Sequence, residues 1–424
     1  MIEKNLKYEA VVDYFFDNLS LSFNFNVKVK EQIINLVNKQ ESLCPDLYNY
    51  LKINPVFFDW KTLKFPVFIK PPTSLIENNK INFDIFLNSF FLLSGIQELN
   101  STNKDKHNRF EYESSLQYKH NFIQTPVVNI YFELVYEKAI ENGIKIKRKQ
   151  FDSPIVFTHD IDQLRSGWFE DIKHELSNFR FNSIFSISKS IFSKTFGLKD
   201  SYQKAFENML LIDNENNINS ISFFMSKKSH KDADYDITKS KFKKIVNLSK
   251  SKTQCEFHPG YNTCDNEQEF KNQLKVINQI KSHKTTKVRQ HFLKFDMKKT
   301  PKIHELNNIE QDFSLGFPEM YGFRNSIASP FYLFNFEKQK KYKTVEIPLF
   351  FMDSTILDYI KTPFEEECNK LLTVANKTVL DFNCNFSILF HNSAFSNKKF
   401  KGLISMYKKF ILLSKNNGCS NKEI

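Results

Sequence analysis

Past residue 150 the chain alternates between short apolar runs and longer amphipathic stretches. The runs are PIVFTHD (154–160), SISFFMS (220–226), QCEFHPG (254–260), KVRQHFL (287–293), DFSLGF (312–317), TVEIPLFFMD (344–353) and FSILFHNS (386–393). Compact apolar runs of this length read as strands buried on both faces. Between them, stretches such as KSKFKKIVNLSKS and EQEFKNQLKVINQIKSH repeat apolar residues at three and four positions, as a helix with one buried stripe does. Strand alternating with helix predicts an α/β fold of parallel βα units, and seven strands predict a barrel-like arrangement.

The first 150 residues follow a different grammar. A short strand-like run, FPVFIKPP (65–72), sits beside two helical patterns, FDIFLNSFFLLSGIQEL (83–99) and VVNIYFELVYEKAIENG (127–143). The charged stretch GIKIKRKQFDS (143–153) then leads into the first buried run. The expected organisation is a smaller α+β N-terminal domain over 1–150 and the α/β domain over 151–424.

Composition narrows the partners more than the fold. The formal net charge is +12, but the lysines are scattered and form no basic arm, so no nucleic-acid partner is expected. The abundance of Phe, with 46 residues, together with Asn, Lys and Ile follows A/T-rich codons and weakens any reading of that charge. Six cysteines without a CxxC pair suit a reducing compartment. The opening MIEKNLKYEAVVDYFF has acidic residues where a signal peptide needs an apolar core, and FLNSFFLLSGI (86–96) is too short to span a bilayer. A soluble cytoplasmic protein is the expectation. One segment complicates it: RFNSIFSISKSIFSKTFGLK (180–199), placed on a helix, gathers its Phe and Ile residues on one side. Such a stripe packs on a domain flank or makes a peripheral membrane contact. The sequence carries no signal for oligomeric state.

The chemistry gathers where the runs end. Asp160 and Asp162 close the first run, His258 the third, Arg289 and His291 the fourth, and His391 the last. In βα folds, active groups sit at the C-terminal ends of strands, and residues two apart on a strand face the same side. Carboxylates and imidazoles meeting in a cleft are the donors of a hydrolytic metal site with three protein ligands and an open position. A second carboxylate there serves as general base and a further imidazole as general acid. Plainer roles compete: a capped strand end for the Asp pair, an ion pair with Asp312 or Glu256 for Arg289, a hydrogen bond to Asn392 for His391, and structural support for His159. In the loop DFSLGFPEMYGFRNSIASPF (312–331), Arg324 either grips an anionic sugar or phosphate or forms an internal ion pair.

In this order the motifs resemble the NodB-like polysaccharide deacetylases (carbohydrate esterase family 4), specifically a divergent bacterial branch with an extra N-terminal domain. FTHDID resembles the family's Asp-Asp motif, which implies Asp160 as base and Asp162 as metal ligand. FHPGYN is similar to the second motif and implies His258 as a ligand, but Asn262 stands where the family has a second histidine. VRQH matches the motif whose arginine orients the catalytic aspartate, here Arg289. ILFHNS matches the closing Leu-x-His motif, giving Leu389 and His391 as general acid. His291 is the expected substitute for the missing third ligand, with Asn262 as the alternative. The resemblance implies a distorted (β/α) barrel and a divalent metal, zinc first and cobalt, nickel or manganese otherwise. It also implies removal of an N-acetyl or other acyl group from a sugar of a surface polysaccharide or its precursor. A glycan-binding protein that has lost hydrolysis, motivated by Asn262, and a metallo-phosphoesterase are the alternatives. The long interval from Asp162 to His258 is read as an insertion beside the barrel mouth.

Overall fold

The computed structural model describes residues 6–38, 44–165, 167, 200–281, 284–360, 362–396 and 401–418. The stretch 180–199 and most of the insertion after Asp162 lie outside the described residues.

The core helices of the N-terminal half are α1 (Tyr8–Ser22), α2 (Ile85–Leu93) and α3 (Val127–Glu141), beside an outer helix Val27–Asn35 and a hairpin of Val56–Trp60 and Leu63–Val67. Helix α2, IFLNSFFLL, is buried on every side, as a helix apolar all round must be. Asp84 caps it by accepting the Leu87 N–H and also accepts the Tyr8 hydroxyl. The continuous helix expected over 83–99 is broken at Gly95, whose φ of 72° is left-handed; a short turn, Ile96–Leu99, follows.

Among the described residues the second half carries nine strands: β1 (Ile155–Ile161), β2 (Ile221–Phe224), β3 (Gln254–Phe257), β4 (Lys287–Val288), β5 (Gln311–Asp312), β6 (Phe331–Asn335), β7 (Lys340–Glu346), β8 (Leu349–Met352) and β9 (Phe386–Leu389). They form one sheet in the order β6-β7-β5-β4-β3-β2-β1-β9-β8, parallel throughout except for β6 against β7. Helices α4 (Ser201–Glu215), α5 (Ser240–Ser249), α6 (Glu267–Lys281), α7 (Phe364–Asp381) and α8 (Lys401–Gly418) are interleaved with the strands. The α/β expectation holds, but the count of seven strands is corrected to nine. TVEIPLFFMD divides into β7 and β8 around Pro348, which has no N–H to give to a ladder. FYLFN adds an antiparallel edge strand just beyond the loop 312–331, where the sequence reading placed no strand.

The hydrogen-bonded ladder does not close into a barrel among the described residues, yet the sheet is strongly curled. Neighbouring strands lie about 4.8 Å apart, so β4 and β1, three steps apart, would be roughly 14 Å apart if the sheet were flat. Arg289, just past β4, nevertheless reaches Asp160 on β1 at 3.1 Å. At the far end, the Leu349 N–H donates to Leu315 O beyond β5. A small apolar cluster of Ile221, Phe223, Phe313 and Ile347 fills part of this curl.

A single apolar cluster runs from the N-terminal helices into the sheet and its helices. At the seam, Phe334 of β6 meets Tyr14 and Phe90 edge-on at 5.2 and 4.8 Å. Tyr14 also donates its hydroxyl to Tyr332 O. Among the described residues, no helix is long and apolar enough to cross a membrane.

Candidate metal centre and active site

The C-terminal ends of β1, β4, β8 and β9 deliver polar residues to one cleft of about 320 Å³, and His258, just past β3, lies behind it against Asp162 and His291. On β1, alternation separates neighbouring side chains. Asp160 points into the curl, whereas His159 faces the helices and meets Asp213 of α4 and Tyr407 of α8. His159 is therefore buried support, closed off from the cleft.

Asp160 is almost fully buried and accepts a hydrogen bond from Arg289 Nη1 at 3.1 Å. Arg289 is fully buried; its Nε donates to Phe313 O, and its guanidinium lies over the Phe223 ring at 4.9 Å. It pairs with neither Asp312 nor Glu256. Asp312 instead accepts from Ser314 and pairs with His304, and Glu256 pairs with Lys281. Burial alone pushes the Asp160 carboxyl up, but the charges of His258, Arg289 and His391 outweigh it and hold the group below its ordinary value.

His258 lies just past β3, and its Nδ1–H donates to the Arg289 carbonyl. That bond fixes the tautomer and leaves Nε2 as a lone pair. The lone pair faces Asp162 Oδ1 at 3.4 Å and His291 Nδ1 at 3.0 Å. The His291 ring also donates a hydrogen bond to the Lys231 backbone carbonyl. Asp162 Oδ1 is buried without a hydrogen-bond partner. One oxygen and two nitrogens of Asp162, His258 and His291 thus lie within 4.8 Å of one another. An orphaned carboxylate oxygen facing two imidazole lone pairs is a poor arrangement by itself and a suitable one for a borderline divalent ion. Burial and the neighbouring His258 and His391 push His291 well below its ordinary pKa, so it stays a neutral donor. Burial pushes the Asp162 carboxyl up, against the opposing pull of His258 and His391. Asn262, the alternative third ligand, is solvent-exposed. The reason is local: β3 ends at Phe257, and a turn at Tyr261–Asn262 leaves the fourth position on the surface.

His391 follows β9 and is held by a residue the sequence reading passed over. Its Nδ1–H donates to Asp353 Oδ1 at 2.6 Å, and its backbone N–H donates to Asp353 Oδ2 at 2.9 Å. Its Nε2 faces Asp162 Oδ2 at 3.7 Å. Burial pulls the imidazole down, but the Asp353 carboxylate reverses this and raises it to about 10, so the ring holds its proton at neutral pH. Asp353 is the last residue of the run TVEIPLFFMD, so the strand-end rule that singled out the other groups also reaches it.

Residues 3–142 match the model of a family of unknown function (DUF7033). No curated protein matches the chain. Among solved structures, the chain is similar to one titled "putative polysaccharide deacetylase from Mycobacterium smegmatis". The two are 13% identical, with 61% of this chain and 82% of that chain covered and a TM-score of 0.36. What the site can do follows from its own geometry.

Two further features complete the cleft. Leu293, Met352 and Leu389 form an apolar floor. The N-terminal half contributes one wall residue, Arg109, which no local sequence pattern announces. Arg324, by contrast, does not face the cleft. It is buried in a bidentate pair with Glu98 of the N-terminal half, at 2.9 and 2.5 Å. The internal-pair reading of Arg324 therefore replaces the anion-gripping one.

Proposed function

We propose that this protein is a metal-dependent hydrolase that removes an N-acetyl or other acyl group from a sugar of a surface polysaccharide or its precursor. The observation that carries the proposal is the convergence of Asp162, His258 and His291 beside two separately tuned proton carriers. Asp162, His258 and His291 would hold the ion, zinc being the first expectation for a site with two imidazoles and one carboxylate. When bound, a divalent metal supplies Lewis acidity toward a water and a carbonyl oxygen.

The chain's own groups do the rest. Asp160, kept ionised by Arg289, accepts the proton of the attacking water. His391, kept protonated by Asp353, gives its proton to the nitrogen of the departing sugar amine. The apolar floor of Leu293, Met352 and Leu389 suits the methyl end of an acyl group and excludes water from that side. An acid and a base held apart in this way give a rate with two pH limbs, falling when Asp160 gains a proton or His391 loses one.

Asp160→Asn tests the assignment on acetylated amino-sugar oligomers. The expected result is a fall in kcat of about 10²–10⁴ with bound metal unchanged. Unaltered deacetylation by that variant would overturn it. Release of phosphate from sugar phosphates, with no release of acetate, would favour the phosphoesterase reading.

A further inference from the structure

We propose that the loop 104–110 of the N-terminal half clamps His291 in place, with Arg109 and His107 as positioning residues for the metal centre. This rests on the metal-site reading above and extends it to a part of the chain that supplies no ligand.

Immediately after His291 the backbone makes two consecutive left-handed residues, Phe292 at φ 58° and Leu293 at φ 54°. Residues with a Cβ hold such a conformation only when their surroundings enforce it. Phe292 is 38% exposed, so burial of its own side chain is not what enforces it. The loop from the other half does. Arg109 Nη1 donates to Phe292 O at 2.8 Å, and the His107 ring lies against the Phe292 ring at 4.6 Å. His107 Nδ1 is also 3.3 Å from the Tyr261 hydroxyl, on the segment that follows His258. One loop therefore touches the chain just beyond both imidazole ligands.

The loop is built to be rigid. Asp105 Oδ1 accepts the backbone N–H of His107 and of Arg109, Asp105 Oδ2 accepts Arg109 Nε, and Lys104 bridges to Phe110. Every arm of the Arg109 guanidinium is engaged, with Nη2 shared between Asp105 at 2.6 Å and the Tyr359 hydroxyl at 3.4 Å. Four of its five N–H donors are held by these partners, although it lines the cleft. Its geometry is that of a brace.

Full-length protein stripped of metal and titrated with Zn²⁺ against a chromophoric chelator, with Co²⁺ absorption read in parallel, tests the clamp. Arg109→Ala is expected to weaken Zn²⁺ binding about 10–100-fold, the usual loss when a residue supporting a ligand is removed. It should also change the Co²⁺ spectrum, with Arg109→Lys falling between it and the wild type. Combined with His291→Ala, it should cost no more than His291→Ala alone, because both act through one ligand. Wild-type affinity and spectrum in Arg109→Ala would overturn the proposal, as would penalties that multiply in the double variant. A lowered thermal midpoint with unchanged affinity would mark a merely structural residue and overturn it equally. Should Arg109→Ala fail to fold, His107→Ala leaves the buried ion pair intact and decides by the same two readouts. A wild-type chain that binds neither ion overturns the metal-site reading itself, whereas wild-type binding with an indifferent Arg109 overturns only the clamp.

Discussion

His258 and His391 are both imidazoles at one site, yet their partners assign them opposite work. The backbone carbonyl that accepts from His258 Nδ1 leaves Nε2 turned toward Asp162 and His291, while a buried carboxylate on His391 Nδ1 makes a ring that keeps its proton. Asp353→Asn removes what raises His391, so the alkaline limb of kcat against pH should move to lower pH and activity at pH 8 should drop. An alkaline limb that stays in place would exclude Asp353 from this role. Asn262→Ala, at an exposed position, is expected to leave zinc affinity unchanged, while His291→Ala should weaken it by about 10-fold or more. Competition with a chelator distinguishes the two. At this scale much was legible: the ends of apolar runs pointed to Asp160, Asp162, His258, Arg289, His291 and His391, all of which the fold brings to one site. What the sequence could not decide was the choice between Asn262 and His291, because that depends on where the chain turns after β3.

At the scale of elements, position was easier to read than extent. DFSLGF signals a strand, but only Gln311–Asp312 pair, because Phe313 and the residues after it turn into the curl. The end of β7 carries a feature that periodicity cannot express. Glu346 is almost fully buried and accepts the Leu315 N–H, and burial together with neighbouring Asp312 pushes its carboxyl well above its ordinary value. In the unfolded chain it titrates near 4.3. Above that pH the folded state holds a proton that the unfolded state has released, so this residue's contribution to stability falls as pH rises. Glu346→Gln keeps an acceptor for Leu315 and removes the titration. Urea denaturation should show the variant gaining stability over wild type at pH 7–8 and gaining little near pH 4. An equal gain at both pH values would exclude proton linkage as the cause.

On the scale of the whole molecule, the two halves share one core and exchange buried charge. Glu98 and Arg324 are both nearly inaccessible and bonded in two places, so Glu98→Gln leaves a buried guanidinium uncompensated. The expected cost is about 3–5 kcal/mol, measured as a lower urea midpoint. Loss of less than about 1 kcal/mol would show that water reaches the pair. Beyond the possibility of an internal pair at Arg324, this seam was not legible beforehand, because hydrophobic periodicity reports which face of a helix is buried and never names its cover. The same limit hid Arg109, whose role depends on a carbonyl in the other half of the chain.

The shared core has a consequence for synthesis. Tyr14 finds its acceptor 318 residues later, at Tyr332. At ordinary translation rates, roughly 15–60 s separate their emergence from the ribosome. From the emergence of Phe90 onward, the aromatic face of Tyr14 and Phe90 has left the tunnel while Phe334, which covers it, has not yet been made. The nascent chain therefore presents an uncovered Phe-rich surface before its second half is made, the kind of exposure that favours aggregation over folding.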